Sequence, residues 1–319
     1  MSGDRLLVAL YGPTSSGKTA LSVDVAHRLR RTLDRPVTVI SADSRQVYRY
    51  MDIGTSKTTV EEMRGIPHEM LDVVEPDHKL ELEEYARRAR EHIGAAFAAG
   101  RVPFVVGGTG VYVKALVDGW EMDAVGAARR GLRQDFPRSM AADAHAMLRR
   151  LDKAAAAKVH PNNYEAVINA LAARMASSGG SGGGTAAPRT VLLGLDPGPR
   201  AVDERLAATY DRQVERGLLD EIEELNERYD LEREKRRRGA DSPNQVLHTH
   251  GYREYFDVAA ARGRPLANLT AADRAQVREQ VLEHIRGYTR RQRSWFKKLP
   301  GVKMVTSPGQ AAAAIAKSR

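Results

Sequence analysis

The sequence predicts an α/β fold: a parallel sheet core, an all-helical insertion and C-terminal helices. Three observations predict it. Short, continuous apolar runs alternate with helical patterns over the first third of the chain. A Gly-rich phosphate-loop pattern joins the first of these runs to the first helix. Further on, a long stretch with no strand-like run ends in a Gly/Ser tract.

Taken in order, Leu6 to Tyr11 (LLVALY), Val37 to Ile40 (VTVI), Met70 to Val74 (MLDVV) and Val102 to Val106 (VPFVV) read as strands. Runs of this length, bounded by Gly, Pro or Asp, suit parallel strands covered on both faces. Between them Lys18 to Leu33 and Glu81 to Ala99 carry a helical period. Asp123 to Ala176 is rich in Ala, Arg and Met and reads as a small helical insertion, followed by the coil composition of Ser177 to Gly184 (SSGGSGGG). Thr190 to Leu195 (TVLLGL) returns the chain to the sheet, Pro199 to Tyr229 reads as one helix, and Glu232 to Gly239 (EREKRRRG) as a solvated charged loop. Thr270 to Leu299 reads as one long helix, with Thr270 and Asp273 placed as a capping box. The expected division is 1–118 with 187–319 for the core and C-terminal helices, and 119–186 for the insertion and its linker.

Composition bounds the function. The 319 residues are 42% hydrophobic and 29% charged, which is ordinary for a globular chain with a sizeable core. Lys plus Arg is 50 and Asp plus Glu is 41, a surplus of +9 that favours a polyanionic partner. The absence of cysteine excludes disulfides, thiolate catalysis and cysteine metal sites. With neither a signal peptide nor an apolar stretch of spanning length, the expectation is a cytoplasmic protein with no membrane partner.

The motifs carry the chemistry. Gly12, Pro13, Thr14, Ser15, Ser16, Gly17, Lys18 and Thr19 (GPTSSGKT) match the P-loop pattern between a strand and a helix. Backbone N–H groups and the helix N-terminus cradle phosphate oxygens, Lys18 neutralises the end phosphates, and the Thr19 hydroxyl can hold Mg²⁺. Asp43 follows the second strand, so it is expected beside the P-loop. There it can act as a general base or an outer Mg²⁺ ligand; as a loop residue it can also simply cap the next turn. Gly107-Gly108-Thr109-Gly110 ends the fourth strand at the same edge and permits close approach of a ligand to the backbone. On the long C-terminal helix, Val277, Val281, Ile285, Tyr288, Trp295 and Leu299 read as the core face. Arg274, Arg278, Arg286, Arg290, Arg293 and Lys297 fall on another face, either a solvated stripe or a nucleic-acid contact. His248-Thr249-His250 invites a metal reading, but with no cysteine and no acidic partner at ligand spacing a polar turn is expected.

Together these segments resemble the tRNA dimethylallyltransferases over nearly the whole chain. The resemblance rests on GPTSSGKT, SADSRQVYRYMDIGTSK (Ser41 to Lys57), IPHEMLDVVEP (Ile66 to Pro76) and VGGTGVYVKAL (Val106 to Leu116). It extends to GLDPGPRAVDERL, GLLDEIEEL, Gly251-Tyr252-Arg253-Glu254 and TRRQRSWFKKL. It implies a P-loop NTPase-like core and transfer of a dimethylallyl group from its diphosphate to the exocyclic amine of the adenosine 3′ of a tRNA anticodon, with Mg²⁺. By the same resemblance Asp43 accepts the amine proton, Thr109 orients amine or diphosphate, and Lys18 and Thr19 act on the leaving group. Ser44, Arg45, Gln46, Gly107, Gly108, Gly251, Tyr252 and Arg253 are assigned to the adenosine or tRNA, and Arg286, Arg290 and Arg293 to the anticodon stem-loop. A monomer is expected. The chain departs from the family at Ala166, Asn169 and Thr209, where arginine is usual, and at Thr249-His250, where Ala-Ile is usual. Arg205 or Arg212, on the helix of Thr209, is expected to compensate. The competing readings are an adenylate prenyltransferase, a P-loop small-molecule kinase and an RNA-binding homologue with impaired catalysis.

Overall fold

A computed structural model describes residues 5–117, 129, 131–178, 188–296 and 301–318. Its centre is a six-stranded, all-parallel sheet in the order β3-β2-β4-β1-β5-β6. The strands are β1 (Leu6–Tyr11), β2 (Val37–Ser41), β3 (His68–Glu69), β4 (Val102–Gly107), β5 (Arg189–Gly194) and β6 (Lys303–Met304). Every residue of β1, β2 and β4 is buried, which is why they read as unbroken apolar runs. In register Tyr11 lies between Gly107 and Gly194, and Ser41 pairs with Val106. The segments leaving β1, β2, β4 and β5 therefore emerge at one edge of the sheet.

Helices α1 (Lys18–Leu33), α2 (Val60–Met63), α3 (Leu82–Ala98) and α4 (Gly110–Val117) accompany the first four strands. Leu21, Val25 and Leu29 of α1 pack on Leu6, Val8, Leu10, Phe104 and Val106. Tyr85, Ala89, Ile93 and Ala96 recur at helical steps as the buried face of α3. Each of the larger aliphatic side chains contributes about 1.5–3 kcal/mol relative to exposure, more than a typical cap, so packing decides where the helices lie.

The chain divides into two compact units, residues 1–114 with 188–319, and residues 115–187. The second has its own core of Leu132, Ala144, Leu148, Val167, Ile168, Leu171 and Ala172. It is built on α5 (Ala141–Leu151), α6 (Lys153–Ala156) and α7 (Tyr164–Ser178). Asp152 caps α6 by accepting the Ala155 N–H at 2.8 Å. Ser177 and Ser178, expected to open a coil linker, close α7 instead, and 179–184 lie outside the described residues.

The first unit continues with α8 (Pro199–Glu215), α9 (Leu218–Tyr229), α10 (Leu231–Arg238), α11 (Arg253–Arg262), α12 (Ala271–Phe296) and α13 (Pro308–Ala316). Thr270 and Asp273 form the expected capping box on α12, with N–H bonds of 3.0 and 3.2 Å. Among the described residues no helix is long and apolar enough to cross a membrane.

Several local expectations are corrected. The third strand is His68–Glu69, not Met70 to Val74, because Met70 and Asp72 have φ of +67° and +54°, outside the extended region. The helix expected from Pro199 to Tyr229 is two helices, broken at Gly217, whose φ is +97°. Glu232 to Gly239 is not a loop. Leu231 is buried, acidic residues fill the first turn and basic ones the last, and Arg237 and Arg238 pair with Glu234, so charge complements the helix dipole without apolar periodicity. Strand β6 and helix α13 have no counterpart in the sequence reading. On α12, Val277 and Val281 are buried as expected, but Ile285 and Tyr288 are only partly so. The buried stripe continues through two polar residues, Thr289 and Gln292. Lys297 and Leu299 lie outside the described residues.

Candidate active site at the sheet edge

The P-loop starts where β1 ends. Gly12 packs so tightly that a Cβ there would lie 2.5 Å from the Leu195 carbonyl oxygen and 2.9 Å from Ser16 Oγ. Ser15 and Gly17 have φ of +59° and +91°, turning the backbone into the cradle before α1 begins. Lys18 Nζ donates to the Pro13 carbonyl at 2.7 Å. Burial pushes its amine down to about 8, against the pull of the nearby Asp43 carboxylate. The Ser16 hydroxyl is buried and has no hydrogen-bond partner among the described residues.

Asp43 leaves β2 beside this cradle. Its Oδ1 accepts the N–H groups of Arg45 at 2.8 Å and Gln46 at 3.4 Å, so the turn-capping role is real. That role uses one oxygen; among the described residues Oδ2 has no hydrogen-bond partner. Thr109 pins the same loop from β4, its N–H donating to Ala42 O at 3.2 Å and its Oγ1 accepting the Ser44 N–H at 3.0 Å. The Tyr288 side chain, on α12, lies near Thr109, Ser44 and Asp43; burial, reinforced by the Asp43 charge, raises its pKa. Lys18, Asp43, Ser44 and Thr109 thus meet, as expected of loops sharing one sheet edge.

Other expected positions have different surroundings. A Cβ on Gly107 would lie 2.0 Å from Ala42 O, and one on Gly108 2.5 Å from Gln292 Nε2. These glycines admit neighbouring chain and a side chain, where close approach of a ligand was expected. Tyr252, expected to contact adenosine or tRNA, is fully buried and donates to Glu221 Oε1 at 2.7 Å. Gln46 turns its amide to the Thr55 and Ser56 carbonyls at 3.3 and 3.0 Å. Arg45 bonds Gln245 Oε1 at 3.1 Å. Gly251, with φ +96°, donates to Glu254 Oε2 at 2.8 Å, and Arg253 Nη2 lies 3.1 Å from His284 Nδ1. Arg293 is bonded to Asp196 at 2.8 Å and Arg286 is 4.0 Å from Asp203, while Arg290 is exposed. The basic stripe is therefore partly neutralised within the unit.

Several residues that shape the site were not singled out. Gln292 accepts the Thr14 N–H at 2.9 Å, donates to Gly108 O at 2.7 Å, and its own carbonyl accepts the Tyr11 hydroxyl at 2.6 Å. Glu221 accepts three successive N–H groups, from Asp52, Ile53 and Gly54, at 2.8, 2.7 and 3.1 Å. Tyr252 packs so closely on that loop that a Cβ on Gly54 would lie 2.4 Å from its ring. The one signal in the sequence was a polar Gln292 on the buried period of Val277 and Val281. Of the two arginines beside Thr209, Arg205 reaches the P-loop, its Nη1 donating to Ser16 O at 3.1 Å, whereas Arg212 Nη2 donates to Thr209 Oγ1 at 3.3 Å.

A parallel α/β sheet with a phosphate loop, a carboxylate and a Gly-rich turn at one edge defines the P-loop class of phosphate-binding proteins. Within it, a family model described as IPP transferase matches residues 46–299, and one described as isopentenyl transferase matches residues 6–77. The tRNA dimethylallyltransferase 2 of Mycobacterium marinum is 35% identical over 305 residues, covering 91% of this chain and 89% of that protein. The tRNA dimethylallyltransferase of a Synechococcus species is 36% identical over 301 residues, 93% of this chain and 91% of its own. The solved structure of the full-length tRNA isopentenylpyrophosphate transferase of Bacillus halodurans superposes with a TM-score of 0.63 at 29% identity, covering 98% of both chains. The chain belongs to the IPP transferase family.

Gln292→Glu tests the bridge between the two loops. The substitution keeps shape but sets a carboxylate oxygen against the Gly108 carbonyl, leaving a buried acceptor without its donor. A loss of about 1–3 kcal/mol is expected in denaturant unfolding; an unchanged midpoint would show that the two loops hold their places without it.

Proposed function

We propose that this protein transfers a dimethylallyl group from dimethylallyl diphosphate to the exocyclic N6 amine of the adenosine 3′ of a tRNA anticodon. The observation that carries the reading is a P-loop whose Lys18 feels the Asp43 carboxylate, one oxygen of which has no partner among the described residues. In a kinase the loop positions a phosphoryl group for transfer; here it holds the diphosphate as leaving group. The allylic C–O bond breaks, the pyrophosphate departs with the bonding pair, the amine lone pair forms the new C–N bond, and Asp43 takes the amine proton. Lys18 and the backbone N–H groups of the loop stabilise charge growing on the pyrophosphate. Arg205 supports the same loop through Ser16, where the family's usual arginine is replaced by Thr209. The Ser44 N–H bond to Thr109 Oγ1 keeps the Asp43 loop in place beside the base. The adenine reaches the pocket flipped out of its loop.

Mg²⁺ fits the residues present. The Thr19 hydroxyl would hold it, with Asp43 reaching it through water, and the unpartnered Ser16 hydroxyl adds a polar atom to the cradle. Such an ion supplies charge neutralisation at the diphosphate. Incubation with dimethylallyl diphosphate, Mg²⁺ and unmodified tRNA, followed by nucleoside mass analysis, tests the function. Prenyl transfer to free adenylate, or tRNA-independent phosphoryl transfer from ATP, would replace it by the corresponding alternative.

Asp43→Asn keeps the turn-capping oxygen and removes the base. Turnover should fall roughly 10²-fold or more with diphosphate affinity nearly intact, and near-normal turnover would remove Asp43 from that role. Lys18 makes a second, pH-resolved expectation. Its pKa in the ligand-free protein is about 8, and a bound diphosphate favours the charged form. Affinity should therefore decline as pH rises through that value, with proton uptake on binding at about pH 8.5 visible as buffer-dependent enthalpy in calorimetry. Uptake that persists in Lys18→Met assigns the proton to another group. On the basic face, Arg290→Ala should weaken tRNA binding and reduce its salt slope by about one unit. A slope equal to that of the parent makes Arg290 a purely solvated residue.

A further inference from the structure

His250, at the start of the Gly251-Tyr252 turn, and His284, on α12, converge on one atom. Their Nδ1 atoms lie 3.1 and 2.7 Å from Glu254 Oε1, and the ligand atoms of the three residues all lie within 4.8 Å of one another. The acidic partner that the sequence reading found missing is Glu254, one helical turn after His250, and the third residue arrives from 30 positions further along. The Glu254 side chain is wholly buried, while those of His250 and His284 are 24% and 38% exposed. A buried anion is thus covered on its outer side by two half-exposed imidazoles. Burial alone would raise the Glu254 carboxyl, but hydrogen bonds from both imidazoles and from the Gly251 N–H outweigh it and hold it at about 2, so the group is a carboxylate.

Hydrogen bonds do not settle this cluster. His284 Nδ1 faces the carboxylate oxygen at 2.7 Å and Arg253 Nη2 at 3.1 Å. One nitrogen thus faces both an acceptor and a cationic donor. A cation between the two imidazole nitrogens and Oε1 would take a lone pair from each and displace Arg253, whose Nη2 also lies 3.6 Å from Oε1. Arg253 has an alternative partner in Asp257, 3.7 Å away. The second carboxylate oxygen is already fixed by Gly251, which orients the first as a ligand.

We propose that His250, Glu254 and His284 form a binding site for one divalent transition-metal ion, zinc in the first instance. Two imidazoles and a carboxylate suit zinc, cobalt or nickel and discriminate against magnesium and calcium. Zinc–ligand bonds of about 2.0–2.2 Å imply N···O edges of about 3.4 Å, so the two contacts open by only about half an ångström. The exposed side leaves room for water to complete the coordination. The site does not depend on the function proposed above. Its consequence is local: the metal ties the turn before α11 to α12 one turn ahead of Tyr288, whose ring centroid lies 6.3 Å from that of His250.

The test is equilibrium dialysis of the full, untagged chain against Zn²⁺, with metal analysis, and titration with Co²⁺ followed by its visible absorption. One equivalent is expected, retained in millimolar Mg²⁺. His250→Ala and His284→Ala should each lower affinity roughly tenfold or more, the range in which even an outer partner of a metal ligand acts. His250→Ala changes a part-exposed turn residue, and circular dichroism verifies that it folds. Asp43→Asn should retain the equivalent. Absence of stoichiometric binding overturns the proposal, as does affinity equal to the parent's in both histidine variants or loss of the ion in Asp43→Asn.

Discussion

The amide of Gln292 spans two loops that leave different strands, and the arrangement of the site depends on that bridge. Its oxygen takes the Thr14 N–H of the P-loop and its nitrogen donates to Gly108 of the turn after β4. Only an uncharged group with a donor and an acceptor on one plane satisfies both. The residue is buried, so losing either bond strands a polar group away from water. Gly108 has no Cβ because Gln292 occupies that space, and Gly110 has none because the Trp295 ring lies where a Cβ would reach to 2.7 Å. The glycines of the fourth strand's exit are thereby explained by a helix nearly two hundred residues away.

A second device of the same kind holds the loop that follows Asp43. Glu221 turns its carboxylate into the backbone of residues 52–54, and Tyr252 completes its shell. Gln46 then binds the carbonyls of Thr55 and Ser56, carrying that rigidity back to the turn capped by Asp43. Buried charge is tolerated because every acceptor direction is filled. The first oxygen of Asp43 is committed to that turn, and the second has no hydrogen-bond partner among the described residues.

The basic character of the chain is distributed unevenly between structure and ligand. Arg293 and Arg286 face Asp196 and Asp203, and Arg278 is held by Asp211 at 2.7 Å. Half-exposed pairs like these contribute roughly 0–1 kcal/mol each, so they orient α12 against α8 and β5 more than they stabilise the fold. Arg290 is exposed and carries the polyanion argument furthest. In the second unit, Arg133 and Arg138 gather on Glu165, next to Ala166.

By itself the sequence determined strands β1, β2, β4 and β5, the P-loop and the place of Asp43 and Thr109, because these follow from short-range signals: apolar runs, glycine spacing and strand ends. It also determined the capping box of α12. It misplaced β3, whose pairing precedes the expected run, because left-handed backbone at Met70 and Asp72 leaves no trace in apolar periodicity. It missed α10 because that helix is held by charge order and a single buried leucine. Only the tertiary structure decided the roles of Gln292, Glu221 and Tyr252, the corrected reason for Gly107 and Gly108, and the meeting of His284 with His250 and Glu254. Each of those joins positions far apart in the chain, and a partner brought in by packing has no spacing by which a single sequence can announce it.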